Sequence, residues 1–184
     1  MKQHTQSNKI NLKELAFFGV YAALIIAFKE AMGVLPNIEP VTVMLIACSC
    51  VYGVKALLPA YVFSFVQIIL HGFHIWNIMY LYVWALLVLF TLLLRPIHGL
   101  LSRLKAAPVA QTAMWTAFAA LYGLCFGTLC AFPYFVTLGP AGALSWIISG
   151  FAFDIIHSIG NAAICAVAFY PLYKTLNFAK TKLA

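Results

Sequence analysis

Acidic residues are scarce in this 184-residue sequence: Asp and Glu together number 4, against 11 Lys and Arg. Charged residues of both signs make up 8% of the chain, whereas soluble domains carry about a quarter. So few charges cannot cover a water-soluble globule, and the 65% hydrophobic content indicates an integral membrane protein. The net charge of +7 falls in loops and tails and not on a basic face, so we expect no nucleic-acid partner.

Motifs of familiar catalytic chemistry are also missing. The sequence contains no H-E-x-x-H zinc motif, no G-x-S-x-G nucleophile motif and no C-x-x-C pair. It lacks G-x-x-x-x-G-K-[ST], so the chain cannot itself use ATP. We therefore predict no catalytic residue, no metal site and no cofactor. The 5 cysteines are interpreted as small apolar residues of membrane helices: Cys48, Cys50, Cys125, Cys130 and Cys165.

Long apolar runs are abundant, and a membrane-spanning helix needs about 20 such residues. The run 41–70 would form a single helix about 45 Å long at 1.5 Å per residue, too long for a bilayer of about 30 Å. Gly53, Lys55 and Pro59 supply a break, so we predict two short helices joined by a tight turn. The sequence thus predicts an all-α protein with six spans: 15–34, 41–54, 56–72, 77–94, 111–132 and 145–170.

The positions of the positive charges predict the orientation. With six spans and both termini in the cytoplasm, all but Lys29 of the 11 Lys and Arg fall on the cytoplasmic side. That side also contacts membrane lipid, including anionic headgroups. The N-terminus shows no signal-peptide cleavage site, so we predict that the first helix is retained. The predicted parts are a cytoplasmic tail 1–14, a membrane domain 15–173 and a cytoplasmic tail 174–184.

Small residues recur every four positions on two of the predicted helices. Such rows let a second helix backbone approach closely, which is a main source of helix association in lipid. We expect one row to pack internally and the other to form a partner surface. The first helix carries Gly19, Ala23, Ala27 and Ala31, and the fifth carries Ala119, Gly123, Gly127 and Ala131.

Aromatic and polar residues concentrate in the segments predicted to face outward, 33–40, 71–84 and 131–146, the last around a Gly- and Pro-rich loop. An interfacial belt would explain single Trp and Tyr residues. Their concentration favours a binding cup for a flat, partly polar molecule. Haem or quinone binding by His71 and His74 is a rival interpretation. The candidate cup residues here are Asn37, Glu39, His71, His74, Asn77, Tyr80, Trp84, Tyr134 and Trp146.

The last predicted helix carries polar residues on one face: Gly150, Asp154, His157 and Asn161 step by four, three and four. A charged Asp in a span is costly and should face the bundle interior or a cavity. Asp154 lies about 13–14 Å below the outer end of its helix, so we expect it at the floor of the cup. For His157 and Asn161 we favour interhelical hydrogen bonds. An intramembrane enzyme using Asp154 and His157 is the rival of another class.

Taken together, these features resemble the substrate-binding S component of an energy-coupling factor (ECF) vitamin transporter. The resemblance covers nearly the whole chain. It includes the pair Ala23 and Ala27 as A-x-x-x-A, the loop "PNIEPV", the last helix "FDIIHSIGNA" and the following "YPLYKTL".

The resemblance implies a function in a prokaryotic plasma membrane. An S component binds a vitamin at its outer face and then associates with a transmembrane coupling subunit and two cytoplasmic ATPases. It is thought to topple in the bilayer and release its ligand inside. By this resemblance the row Gly19, Ala23, Ala27 and Ala31 would dock the coupling subunit, and the 33–40 loop would gate the cup. The loop and last helix look most like cobalamin-type carriers, while riboflavin, folate and queuosine-precursor carriers share the architecture.

Overall fold

The computed structural model describes residues 10–35 and 37–183, and that part of the chain consists of helices and short connections without strands. The predicted all-α class is confirmed. The helices are α1 (Leu12–Ala31), α2 (Val41–Tyr52), a 3₁₀ turn (Gly53–Ala56), α3 (Leu57–His71), α4 (Ile75–Leu101), α5 (Ala107–Leu124), α6 (Phe126–Leu129) and α7 (Phe132–Leu183).

Helix α1 begins at a capping box. The Asn11 side chain accepts a hydrogen bond from the Glu14 backbone N–H at 2.8 Å, and Glu14 accepts one in return from the Asn11 N–H. Glu14 also pairs with Lys55 at 2.8 Å, which fixes the start of α1 against the 3₁₀ turn. One face of α1 is buried in the bundle, including Phe18 and Ile25.

The chain reverses at the 3₁₀ turn, as Gly53, Lys55 and Pro59 predicted. Gly53 has φ 66°, a conformation that favours glycine. The Tyr21 hydroxyl donates a hydrogen bond to the Met44 carbonyl at 2.8 Å, and the ring centroids of Phe17 and Tyr52 are 5.3 Å apart. Because the earlier residue of α1 contacts the later residue of α2, the two helices run antiparallel. Helix α3 then returns parallel to α1. Lys55, in the turn just before α3, pairs with Glu14 near the start of α1, and Gln67 near the end of α3 bonds to Glu30 near the end of α1.

The later helices continue to alternate in direction. A Cβ on Gly53 would lie 3.2 Å from Arg95, so α4 returns to the turn from which α3 started. Helix α5 runs antiparallel to α4, and the Tyr122 hydroxyl donates a hydrogen bond to the Val83 carbonyl. Helix α7 runs back toward the start of α1, where the Asn11 side-chain amide donates to the Leu183 carbonyl at 3.2 Å. Both described chain ends therefore lie at one end of the bundle, called here the terminal end. The opposite end, with residues 32–35 and 37–40 (the described part of the 32–40 loop), 72–74 and 130–146, is called the distal end.

Helix α7 differs from its prediction at both ends. The segment 131–146, expected to be a loop, is helical except at Gly139, where φ 72° and ψ −173° form a kink. Pro140 follows at the start of the long arm, where proline is tolerated because a first-turn N–H has no helical partner. The arm 140–183 is about 66 Å long at 1.5 Å per residue, and it continues well beyond the predicted span end at 170.

The outer surface of the bundle is apolar. Val20, Leu93 and Val167 are among the large hydrophobic side chains that are mostly exposed, as expected of residues in contact with lipid. In the described chain, 3 segments are long and apolar enough to cross a membrane: Val41–His71, Asn77–Leu101 and Phe132–Leu183. These observations support a membrane protein.

Candidate functional site

A cavity of about 230 Å³ opens near the distal end between α4, α6, α7 and the 32–40 loop. Its walls are mainly aromatic and apolar, and among residues 10–35 and 37–183 no Lys or Arg side chain lines it. Four of the sequence-predicted cup residues lie in the wall, namely Asn37, Tyr80, Trp146 and Asp154. The remaining lining residues are Met79, Phe126, Gly127, Cys130, Gly150 and Phe153.

Asp154 is the acidic group of the cavity. Its carboxylate is only 5% exposed and accepts a hydrogen bond from the Gly127 backbone N–H at 2.8 Å. Among the described residues, this N–H is its only hydrogen-bond donor. The carboxylate therefore retains acceptor capacity inside an apolar chamber, where a buried charge is costly unless a partner binds it.

Gly127 makes the approach of Asp154 possible. A Cβ at this position would lie 2.4 Å from the nearer Asp154 oxygen, so a side chain larger than hydrogen would displace the carboxylate. The Gly127 carbonyl in turn accepts a hydrogen bond from Trp146 Nε1 at 3.1 Å. Tyr134 stacks on Trp146 with ring centroids 4.1 Å apart. One glycine thus orients both the carboxylate and the principal aromatic wall.

The opposite wall is a packed group of rings. Tyr80 lies in the cavity wall, stacked 5.9 Å from Phe63 and edge-on to Trp84 at 5.6 Å. Trp84 itself is completely buried behind Tyr80 and contacts Phe126 at 5.6 Å. Trp84 was predicted as a cup residue, but it does not line the cavity. It supports the rings of Tyr80 and Phe126, which do.

The 32–40 loop covers the cavity. Asn37 has φ 58°, in the left-handed region that residues other than glycine seldom occupy. Its side-chain amide donates a hydrogen bond to the Phe153 carbonyl at 3.4 Å. The next residue, Ile38, packs against Gly160, where a Cβ would be 3.2 Å away. The loop is therefore seated on α7 beside Asp154.

Glu39 lies on this loop but does not line the cavity. Burial raises the pKa of Glu39 from 4.5 to about 7, with the charge of Lys29 opposing the rise and that of Glu30 adding to it. Its carboxyl is thus placed to change charge near neutral pH.

The other predicted polar residues of the cup lie elsewhere at the distal end. His71 contacts Glu30 at 3.3 Å, and Glu30 also accepts a bond from Gln67 at 3.0 Å, so these residues join α1 to α3. His74 occupies the N-cap position of α4, and its side chain makes no capping hydrogen bond there. Asn77 is buried and donates to the Gly72 carbonyl, which fixes the 72–74 connection. No group of three or more potential metal ligands occurs among residues 10–35 and 37–183.

The deeper polar residues of α7 divide between two environments. Asn161 donates to the Ala119 carbonyl at 3.3 Å, which is an interhelical bond of the predicted kind. His157 is buried with its ring 4.7 Å from that of Phe126. Neither His157 nitrogen has a hydrogen-bond partner within the described chain, and Asp154 is not bonded to it.

The two rows of small residues have opposite environments. Ala119 and Gly123 on α5 and Gly127 on α6 are buried against α7. A Cβ on Gly123 would lie 2.9 Å from the His157 backbone. This row packs internally. On α1, the row Gly19, Ala23, Ala27 and Ala31 is exposed along its whole length.

Several lining residues were not predicted from sequence. Phe126, Phe153 and Met79 are apolar residues of apolar helices, so nothing in the pattern distinguishes them from lipid-facing neighbours. For Gly127 the sequence did indicate a close helix contact, because this glycine belongs to the small-residue row of the predicted fifth helix.

Comparison with protein-family models, with curated proteins and with solved structures finds no match in any of the three. The chemistry of the cavity is therefore the basis for assigning a function. It can enclose a flat apolar molecule between rings and accept hydrogen bonds from that molecule at Asp154.

Proposed function

We propose that this protein is a membrane-embedded substrate-binding subunit of the S-component type, which binds a vitamin or related heterocycle for import by an ECF module. One observation carries the proposal: an aromatic cavity under a seated loop contains a buried carboxylate, and no cationic side chain of the described residues lines its walls. A ligand that brings its own N–H or O–H donors would satisfy that carboxylate.

The proposed topology has six crossings with both termini in the cytoplasm. The alternating helix directions and the position of Leu183 beside Asn11 support this arrangement. In that orientation the distal end and its cavity face outward, while the terminal end carries Lys55, Arg95 and Lys180 on the cytoplasmic side.

The cavity volume bears on the choice of ligand. About 230 Å³ lies below the roughly 300–1,000 Å³ of sites for drug-sized molecules. Cobalamin, the first choice from sequence resemblance, would require displacement of the 32–40 loop. Among the alternatives, the queuosine precursor is smaller than riboflavin or folate. We therefore rank a compact planar heterocycle of that kind first.

The exposed row on α1 supports a partner surface on the same subunit. Gly19 has no atom within 4 Å of the position that a Cβ would take, so a partner backbone could approach closely there. In the proposed function this surface docks the transmembrane coupling subunit, which in turn binds the two ATPases. The chain itself performs no chemistry on its ligand.

The test begins with mass spectrometry of the small molecule that copurifies with the protein, followed by its binding to Asp154→Asn. Asparagine can still accept the Gly127 N–H bond, so the fold should survive while affinity falls at least about tenfold, since hydrogen bonds to charged groups contribute about 1.5–3 kcal/mol. Unchanged affinity would reject the assigned role of Asp154. Turnover of a lipid or peptide by the purified chain, lost in Asp154→Asn, would replace transport with the enzyme interpretation.

A further inference from the structure

A groove of about 620 Å³ runs along the outside of the bundle between α5 and α7 at the terminal end. Its floor is formed by small side chains, including Ala113, Ala117 and Ala166, and its end is bounded by Pro108 and Tyr170. The groove lies at the opposite end of α5 from the ligand cavity, so the two sites are separate.

One lysine lies at the end of this groove, and two further cations precede its first lining residue in the sequence. Lys174 Nζ lies 5.8 Å from the centroid of the Tyr170 ring, which is part of the lining. Arg103 and Lys105 are exposed in the connection that leads into Pro108. None of the 4 acidic residues of the chain lies on α5 or in that connection, so these cations have no acidic side chain beside them in sequence.

The start of α5 adds to the same electrostatic environment. Its N-cap residue, Ala106, makes no side-chain capping bond, and the helix is 18 residues long. The first-turn N–H groups therefore offer a positive helix end beside Pro108 without a side-chain acceptor.

A second groove provides an internal comparison. It has nearly the same volume, about 670 Å³, and lies between α3, α4 and α6. Its lining includes Tyr61, Ala85 and Phe132, and the part of the chain that the structure describes contributes no charged residue to it. Among the described residues, the two apolar grooves of similar size thus differ in that a lysine lies over a lining ring of the α5–α7 groove only.

We propose that the α5–α7 groove binds one acyl chain of an anionic phospholipid, whose phosphate lies against Lys174 and the connection containing Arg103 and Lys105. The apolar floor matches a hydrocarbon chain, and the cations at its end match a negative headgroup. Each Lys or Arg near an anionic lipid surface contributes about 1 kcal/mol, or about fivefold in affinity. This site does not depend on the identity of the ligand in the distal cavity.

The test is native mass spectrometry of the full-length protein with phosphatidylglycerol or phosphatidylcholine of identical acyl chains. The wild type should retain phosphatidylglycerol at least about fivefold better. Ala117→Trp, which fills the α5–α7 groove, should remove most of this retention, whereas Ala85→Trp in the comparison groove should not. Lys174→Gln should lower the preference for phosphatidylglycerol about fivefold while retention of phosphatidylcholine stays unchanged.

Equal retention of the two lipids by the wild type would overturn the proposal, as would equal effects of Ala117→Trp and Ala85→Trp. Lipid retention that survives Ala117→Trp, together with lost assembly with the coupling subunit, would instead make the groove a protein interface. Ala117 and Lys174 are exposed, so the variants should fold, which circular dichroism and gel filtration would check. If Ala117→Trp did not fold, Lys174→Gln and the pair Arg103→Gln with Lys105→Gln would still decide the outcome.

Discussion

Gly127 links the fold to the site at the scale of a single residue. Its N–H binds Asp154, its carbonyl binds Trp146, and its missing side chain leaves room for the carboxylate. Gly127 lies in a close contact between helices and also holds two side chains of the cavity in place by hydrogen bonds. Such a position should tolerate few substitutions. The same reasoning does not apply to glycines whose surroundings are open.

Gly127→Ala should therefore impair both stability and ligand binding. The added Cβ would lie 2.4 Å from an Asp154 oxygen, and overpacking of this kind typically costs about 1–3 kcal/mol. Gly99→Ala is the matched control, because a Cβ there meets nothing within 4 Å and alanine favours a helix by up to about 1 kcal/mol. Thermal unfolding in detergent and binding of the copurified ligand would measure the two effects. Equal behaviour of the two variants would contradict the role given to Gly127.

The loop between α1 and α2 is the structural element whose behaviour should depend on pH. In folded protein the pKa of Glu39 is about 7, while in the unfolded chain it is near 4.5. Between these values the folded state holds a proton that the unfolded state has released, so stability should fall as pH rises through this window. The loop should be held most firmly below about pH 4, where Glu39 is protonated in both the folded and the unfolded state.

Glu39→Gln should remove this pH dependence. We expect the wild type to lose on the order of 1–2 kcal/mol between pH 5 and pH 8, since Glu39 is partly exposed and solvent reduces the cost of its charge. The variant should lose less over the same range, and thermal unfolding at a series of pH values would measure the difference. Subtracting the two curves removes the contribution of histidines. A variant with the wild-type slope would show that another group is responsible.

Helices were more predictable from sequence than their ends. The turn between α2 and α3 was predictable because Gly53 and Pro59 break an apolar run that is too long for one span. The loop predicted around Gly139 is wrong. Gly-Pro usually marks a loop, whereas here Pro140 occupies a helix start where its missing N–H costs nothing. Asp154 could be placed near the cavity from its depth in the helix, but which distal side chains line the cavity depends on helix rotation, which a single sequence does not specify.

For the whole molecule, the exposed row on α1 predicts a separation of binding from transport. Ala23→Trp with Ala27→Trp should leave ligand affinity near the wild-type value, because both positions are exposed and away from the cavity. Uptake in cells that contain the coupling module should fall at least about tenfold if bulky rings prevent close helix approach. Val167→Trp, another exposed position but on α7, is the control and should not affect uptake. Loss of ligand binding in the α1 variant would show that this face is needed for the fold.

The orientation of the molecule in the membrane determines whether the cavity can collect an external ligand. Val34 is 87% exposed on the distal loop and Ser102 is exposed at the terminal end, so a cysteine at either position should react freely with a membrane-impermeant maleimide. Cys125 is the one exposed native cysteine of the described chain and would first be replaced by serine. In intact cells Val34→Cys should be labelled and Ser102→Cys should not, whereas both should react after the cells are broken. The reverse pattern would place the cavity in the cytoplasm, where a vitamin importer could not use it to capture its substrate.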